Sequence, residues 1–106
     1  MAVAKKKVSA QAVGRAFAKL AQHEPVIHEV WVSDHGCGHG CDLHIWIVVD
    51  PIDMDTQREL YRLISPLYDQ FDNFDAQLHV LNPNHYRGDV HQAIPTFAEQ
   101  IPFRAD

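Results

Sequence analysis

The 106-residue chain lacks an apolar run long enough to cross a membrane. Its longest run, Leu43 to Val49, is interrupted by His44 and falls far short of the ~20 residues that a transmembrane helix needs. The amino-terminal residues carry three lysines at 5–7, but the apolar stretch of a signal peptide does not follow them. We therefore expect a cytoplasmic protein without a membrane segment.

Basic charge is also scarce. Nine Lys and Arg stand against 14 Asp and Glu, so the formal net charge is −5 with neutral histidines. Proteins that bind nucleic acid non-specifically use Lys and Arg to displace counterions from phosphates. The balance argues against DNA or RNA as a partner, and we expect residues 1–8 to form a mobile tail.

The chain has room for one core but not for two, and neither a linker nor a repeat divides it. We expect a single domain over residues 1–106. Apolar residues between 13 and 21 follow the spacing of one helix face, with Ser9 as the N-cap. Residues 26–32 and 43–49 predict two strands, and the second, apolar on both faces, should be central.

The second half of the chain predicts a helix, a strand and a short helical tail. Residues 56–59 have the form of a capping box, and 60–71 have the spacing of an amphipathic helix that Pro66 should kink or loosen. Residues 74–81 alternate between apolar and polar, as in a half-buried strand, and 96–99 predict a short helix. The order α-β-β-α-β plus tail predicts an α/β (α+β) fold, with a small mixed sheet of three or four strands and helices on one face.

Histidine, by contrast, is abundant, with eight in all. After the first predicted strand, His and Cys alternate with glycine at His35, Cys37, His39 and Cys41. Two Cys and two His suit tetrahedral Zn²⁺, and glycines would let the backbone fold around the ion. This spacing matches no standard zinc pattern. A glycine-rich loop without a ligand, or a thiol activated by a neighbouring histidine, stays open.

A second group of polar residues lies at the ends of predicted strands. Asp42 and His44 open the second strand and, being two residues apart, point to the same face of the sheet. Asp75 begins the polar face of the last strand. If the two strands are neighbours, Asp42, His44 and Asp75 converge at one end of the sheet as candidate catalytic residues and metal ligands.

The element order resembles the minimal nucleotidyltransferase superfamily from about Val13 to Phe103. The resemblance rests on Asp42-Leu43-His44 ahead of an apolar strand, and on the strand that contains Asp75. It implies a nucleotide ligand, with Ser33 and Asp34 at the cofactor and with Mg²⁺ held by carboxylates.

The family pattern is incomplete in this chain. His44 stands where the family has its second carboxylate, and imidazole is a poor ligand for Mg²⁺. No glycine precedes Ser33. The resemblance therefore implies a degenerate site and a non-catalytic domain that binds a protein partner, a second copy of the chain or a small ligand. An exposed edge of a small sheet would suit a homodimer.

A second resemblance, to the cytoplasmic domains of cation-efflux transporters, rests on the segments 27–31, 42–45 and 78–80 with their histidines. It implies a metal-binding domain detached from its membrane part. Three hypotheses follow from the sequence: a degenerate nucleotidyltransferase-like binding domain, a zinc-binding module at loop 35–44, and an active Mg²⁺-dependent nucleotidyltransferase.

Overall fold

The protein is built on a four-stranded mixed sheet. The computed structural model describes residues 9–33, 43–71 and 76–102. Its strands are β1 (Ile27–Ser33), β2 (Leu43–Val49), β3 (Ala76–Leu81) and β4 (Glu99–Ile101). The helices are α1 (Ala10–Ala21), α2 (Met54–Tyr61) and the short α3 (Leu67–Gln70), with 3₁₀ turns at Arg62–Ile64 and Val90–Ala93. The α+β class and the mixed sheet are as predicted.

The strands lie in the order β3-β2-β1-β4, so β2 is central, as its two apolar faces predicted. β1 and β2 are antiparallel, whereas β2 and β3 are parallel because α2 and α3 connect them. Odd-numbered residues of β2 face the helices and even-numbered residues face the opposite side. The sheet therefore has a helix face and a second face.

The helix face carries the larger core. Phe17 of α1, Leu60 of α2 and Leu67 of α3 pack with the buried strand residues, and each is at most 2% exposed. Ser9 caps α1 by accepting a hydrogen bond from the Ala12 amide, as predicted. The three helices therefore cover this side of the sheet, because its apolar residues are buried against them.

Gly14 allows α1 to approach the sheet closely. A Cβ at this position would stand 2.8 Å from Cγ1 of Ile101 and 2.9 Å from Cγ1 of Val32. Such distances are too short for a side chain without a shift of its neighbours. The glycine therefore sets the spacing between the helix and the strands β1 and β4.

The predicted capping box at 56–59 is wrong. Asp53 is the N-cap of α2, and its carboxylate accepts a hydrogen bond from the Thr56 amide at 2.7 Å. This hydrogen bond lowers the pKa of Asp53. The helix then ends at Tyr61 rather than continuing to 71, because Pro66 cannot donate a backbone hydrogen bond to the preceding turn.

The tail differs most from expectation. The predicted helix at 96–99 is wrong: Glu99 opens β4, and the helical turn lies earlier, at Val90–Ala93. β4 has only three residues, two of them polar and exposed, so no alternation marks it. Residues 82–98, which we call the cover segment, place Val90 against Trp46, Val48 and Leu81 on the second face.

Among the described residues, no helix is long and apolar enough to span a bilayer.

Candidate functional site

Most of the predicted site residues lie outside the described part of the chain, as does the predicted tail at 1–8. The residues concerned are Asp34, His35, Cys37, His39, Cys41, Asp42 and Asp75. Their convergence stays a prediction. Ser33 and His44 are described, and within 9–33, 43–71 and 76–102 no three His, Cys, Asp or Glu side chains cluster as a metal site would require.

His44 occupies the start of β2 on the second face of the sheet. Its neighbour Leu43 is buried towards the helices, and the pleat turns His44 the other way. Ser33 of β1 and Gln77 of β3 are its direct partners in the two flanking strands. Ser33 is buried, His44 is half-buried and Gln77 is exposed, so the three form a row that opens towards solvent at β3.

The parallel register brings a second histidine to His44. His79 of β3 lies opposite Trp46, which places it on the diagonal from His44 on the same face. Nδ1 of His44 is 3.1 Å from Nε2 of His79. One of the two nitrogens donates its hydrogen and the other accepts, because each neutral imidazole carries one N–H. We call His44 and His79 the histidine pair.

Trp46 holds both rings of the histidine pair. Its ring centroid lies 5.6 Å from that of His44 and 5.4 Å from that of His79, with interplanar angles of 22° and 16°. The two imidazole centroids are 5.3 Å apart, at 17°. Such spacings are typical of offset aromatic contacts rather than of rings stacked face to face. Trp46 is itself only 7% exposed, so it gives the pair a rigid wall.

Burial lowers the pKa of His79, and the charge of His44 lowers it further. Both effects disfavour the imidazolium form of this ring. His79 thus tends towards the neutral form, which is the form that accepts a hydrogen bond or binds a metal ion.

The sequence singled out His44, whereas His79 entered only with the segment 78–80 of the second resemblance and was not expected to contact His44. Its place on the polar side of the last predicted strand, with Asp75 and Gln77, was the available signal. What the pattern could not supply was the register of β3 against β2, which decides which of these side chains reaches His44.

No protein-family model, no curated protein and no solved structure matches the chain.

Proposed function

We propose that this protein binds a transition-metal ion of the Zn²⁺ type through the histidine pair. The observation that carries the proposal is the 3.1 Å separation between Nδ1 of His44 and Nε2 of His79. Two nitrogens that each lie about 2.0–2.1 Å from a tetrahedral Zn²⁺ are about 3.3 Å apart. To exchange their shared hydrogen for an ion, the rings need to separate by a few tenths of an ångström and to turn until both nitrogen lone pairs point at the ion.

The chemistry of the donors selects the class of ion. Imidazole nitrogen suits Zn²⁺, Cu²⁺ and Ni²⁺, whereas Mg²⁺ prefers oxygen ligands. Trp46 supports both rings and restricts their rotation, so the loss of side-chain entropy on binding is small. These features support a Zn²⁺-type site over the Mg²⁺ site that the nucleotidyltransferase resemblance implies.

Two imidazoles fill half of a tetrahedral coordination sphere. The connection between β1 and β2 supplies further candidates in the sequence, His35, Cys37, His39 and Cys41, the last of them three residues before His44. We propose that two of these four complete the site. The nucleotidyltransferase-like fold, a nucleotide and a protein partner stay predictions of the sequence, because Asp42 and Asp75 lie outside the described residues.

Zinc titration of the tag-free chain tests the proposal. Calorimetry should show one saturable equivalent of Zn²⁺. Even an outer-shell partner of a ligand is worth about 10–100-fold in metal affinity, so His44→Gln and His79→Gln should each weaken binding at least about tenfold. His85→Gln removes an exposed histidine of the cover segment and is the matched control, which should bind as the native chain does.

A Cys37→Ser/Cys41→Ser variant separates the two halves of the proposal. If binding weakens in this variant as well, the β1–β2 connection contributes ligands. If only the histidine variants weaken it, neither cysteine is a ligand, and the remaining ligands are His35 and His39, water or other residues. Less than about a tenth of an equivalent of bound Zn²⁺ in the native chain would end the proposal, because a true site should fill.

A further inference from the structure

A second polar cluster lies on the same face of the sheet, where the cover segment meets β1. Nε2 of His91 is 2.7 Å from Oε2 of Glu29, and Nδ1 of the same ring is 2.9 Å from Oδ1 of Asp89. Trp31 donates its indole N–H to the other carboxylate oxygen of Glu29 at 2.9 Å. The histidine ring thus lies between two carboxylates, one of them fixed by a tryptophan.

This geometry requires a protonated ring. Ionised carboxylates only accept hydrogen bonds, and a neutral imidazole has a single N–H, whereas an imidazolium has two. The neutral ring would therefore turn a lone pair towards Glu29 or Asp89 and lose that contact. Both hydrogen bonds of His91 can form together only when it carries a charge.

The cluster joins two parts of the fold. His91 belongs to the 3₁₀ turn Val90–Ala93 of the cover segment, and Asp89 caps that turn by accepting from the His91 amide at 2.9 Å. Glu29 belongs to β1 of the sheet. The side chain of His91 is 47% exposed and that of Glu29 is 24% exposed, so protons reach the ring without unfolding.

We propose that His91 is a protonation-dependent latch, which fastens the cover segment to the sheet when the ring is charged and loosens it when the ring is neutral. The charged groups in contact with the ring are Glu29 from β1 and Asp89 from its own turn. A shallow, open groove of about 300 Å³ borders the latch and is lined by Trp31, His91, Ile94, Pro95 and Thr96.

The direction of the pH effect follows from the partners. The hydrogen bonds to Glu29, and then to Asp89, raise the pKa of His91 above its ordinary value. A raised pKa in the folded state means that the latch contributes fully below the pKa of the unfolded chain, and that its contribution disappears as the pH rises through the folded pKa. The cover segment should therefore loosen on the alkaline side of the His91 titration.

Hydrogen exchange between pH 5 and pH 9, expressed as protection factors, tests the latch. We expect the protection of amides in 90–94 to fall roughly two- to fivefold through the His91 titration, the range for partly exposed ion pairs, while amides in α1 keep theirs. Glu29→Gln keeps an acceptor for Trp31 but removes the charge, and it should abolish this step. His91→Gln should be loosened at every pH.

Asp50→Asn is the matched control. Asp50 forms a second exposed histidine–carboxylate pair with His28, which also lies on β1 but is not part of the latch. This variant should keep the pH step. The latch is overturned if protection in 90–94 is flat across the titration in the native chain, or if the step survives in Glu29→Gln.

Discussion

His44 and His79 are 35 positions apart in the chain, yet Nδ1 of the first lies 3.1 Å from Nε2 of the second. The contact exists because β2 and β3 are parallel and neighbouring, with Trp46 opposite His79. Residues two apart on one strand share a face, so His44 meets His79 along the diagonal. The register between β2 and β3 therefore creates the histidine pair, and an ion bound by both rings would link the two strands.

Trp46 should report occupation of the histidine pair. Because its ring lies within 5.6 Å of both imidazoles, a bound Cu²⁺, which is paramagnetic, should quench its fluorescence and saturate at one equivalent. The chain has two tryptophans. Quenching should persist in Trp31→Phe, where Trp46 is the remaining indole. His44→Gln and His79→Gln should each weaken it, and quenching in these variants equal to that of the native chain would place the ion elsewhere.

The hypothesis of an active Mg²⁺-dependent nucleotidyltransferase needs an oxygen ligand at the position of His44, whereas the proposed zinc site needs its imidazole nitrogen. We expect no nucleotide transfer when the native chain is incubated with ATP and Mg²⁺, because the resemblance to nucleotidyltransferases puts His44 where that chemistry needs a second carboxylate. Labelled ATP and an acceptor screen provide the measurement. Transfer that is detectable in the native chain and abolished in Asp42→Ala would contradict this expectation.

Asn82 should stabilise the fold by linking the start of the cover segment to the backbone of Ile52. It is only 2% exposed. Its side-chain Oδ1 accepts a hydrogen bond from the Ile52 backbone N–H at 3.2 Å, and its Nδ2 donates one to the Ile52 carbonyl at 2.8 Å. Asn82→Ala leaves the buried Ile52 amide without this acceptor and should lower the free energy of unfolding by about 1–3 kcal/mol. Denaturant titration measures the loss.

Asn84→Ala is the control for that measurement. Asn84 is exposed, and it also donates to the Ile52 carbonyl, at 3.2 Å. This hydrogen bond is only partly buried, and the Ile52 carbonyl keeps the one from Asn82, so the substitution should cost under about 1 kcal/mol. Similar losses for the two variants would mean that burial of Asn82 adds nothing.

Strong local patterns predicted the fold where burial determines structure. β2 was predicted to its end residues because it is apolar on both faces, and α1 because its apolar face and its cap agree. β4 has no such pattern: its place is set by pairing with β1, a contact between distant parts of the chain. The role of Asn82 also depends on a distant contact: its sequence position indicates an ordinary turn residue, and only the folded structure shows its hydrogen bond with Ile52.

In the candidate site, too, the sequence identified one residue, His44, but not the residue that contacts it. Position in the strand was enough to single out His44, since the start of a central strand is a place where side chains converge. The partner could not be predicted, because choosing among Asp75, Gln77 and His79 requires the register of β3, and a connection through two helices fixes that register. The sequence motif at 35–41 suggests the same class of metal but carries no information on its distance from His79.

The most direct test of the central claim is nitrogen NMR of the histidine rings during a Zn²⁺ titration. We predict that Nδ1 of His44 and Nε2 of His79 shift together and saturate at one equivalent. The rings of His23, His28, His85 and His91 should stay unchanged. Saturable zinc binding that leaves both nitrogens of the histidine pair unshifted would contradict the account.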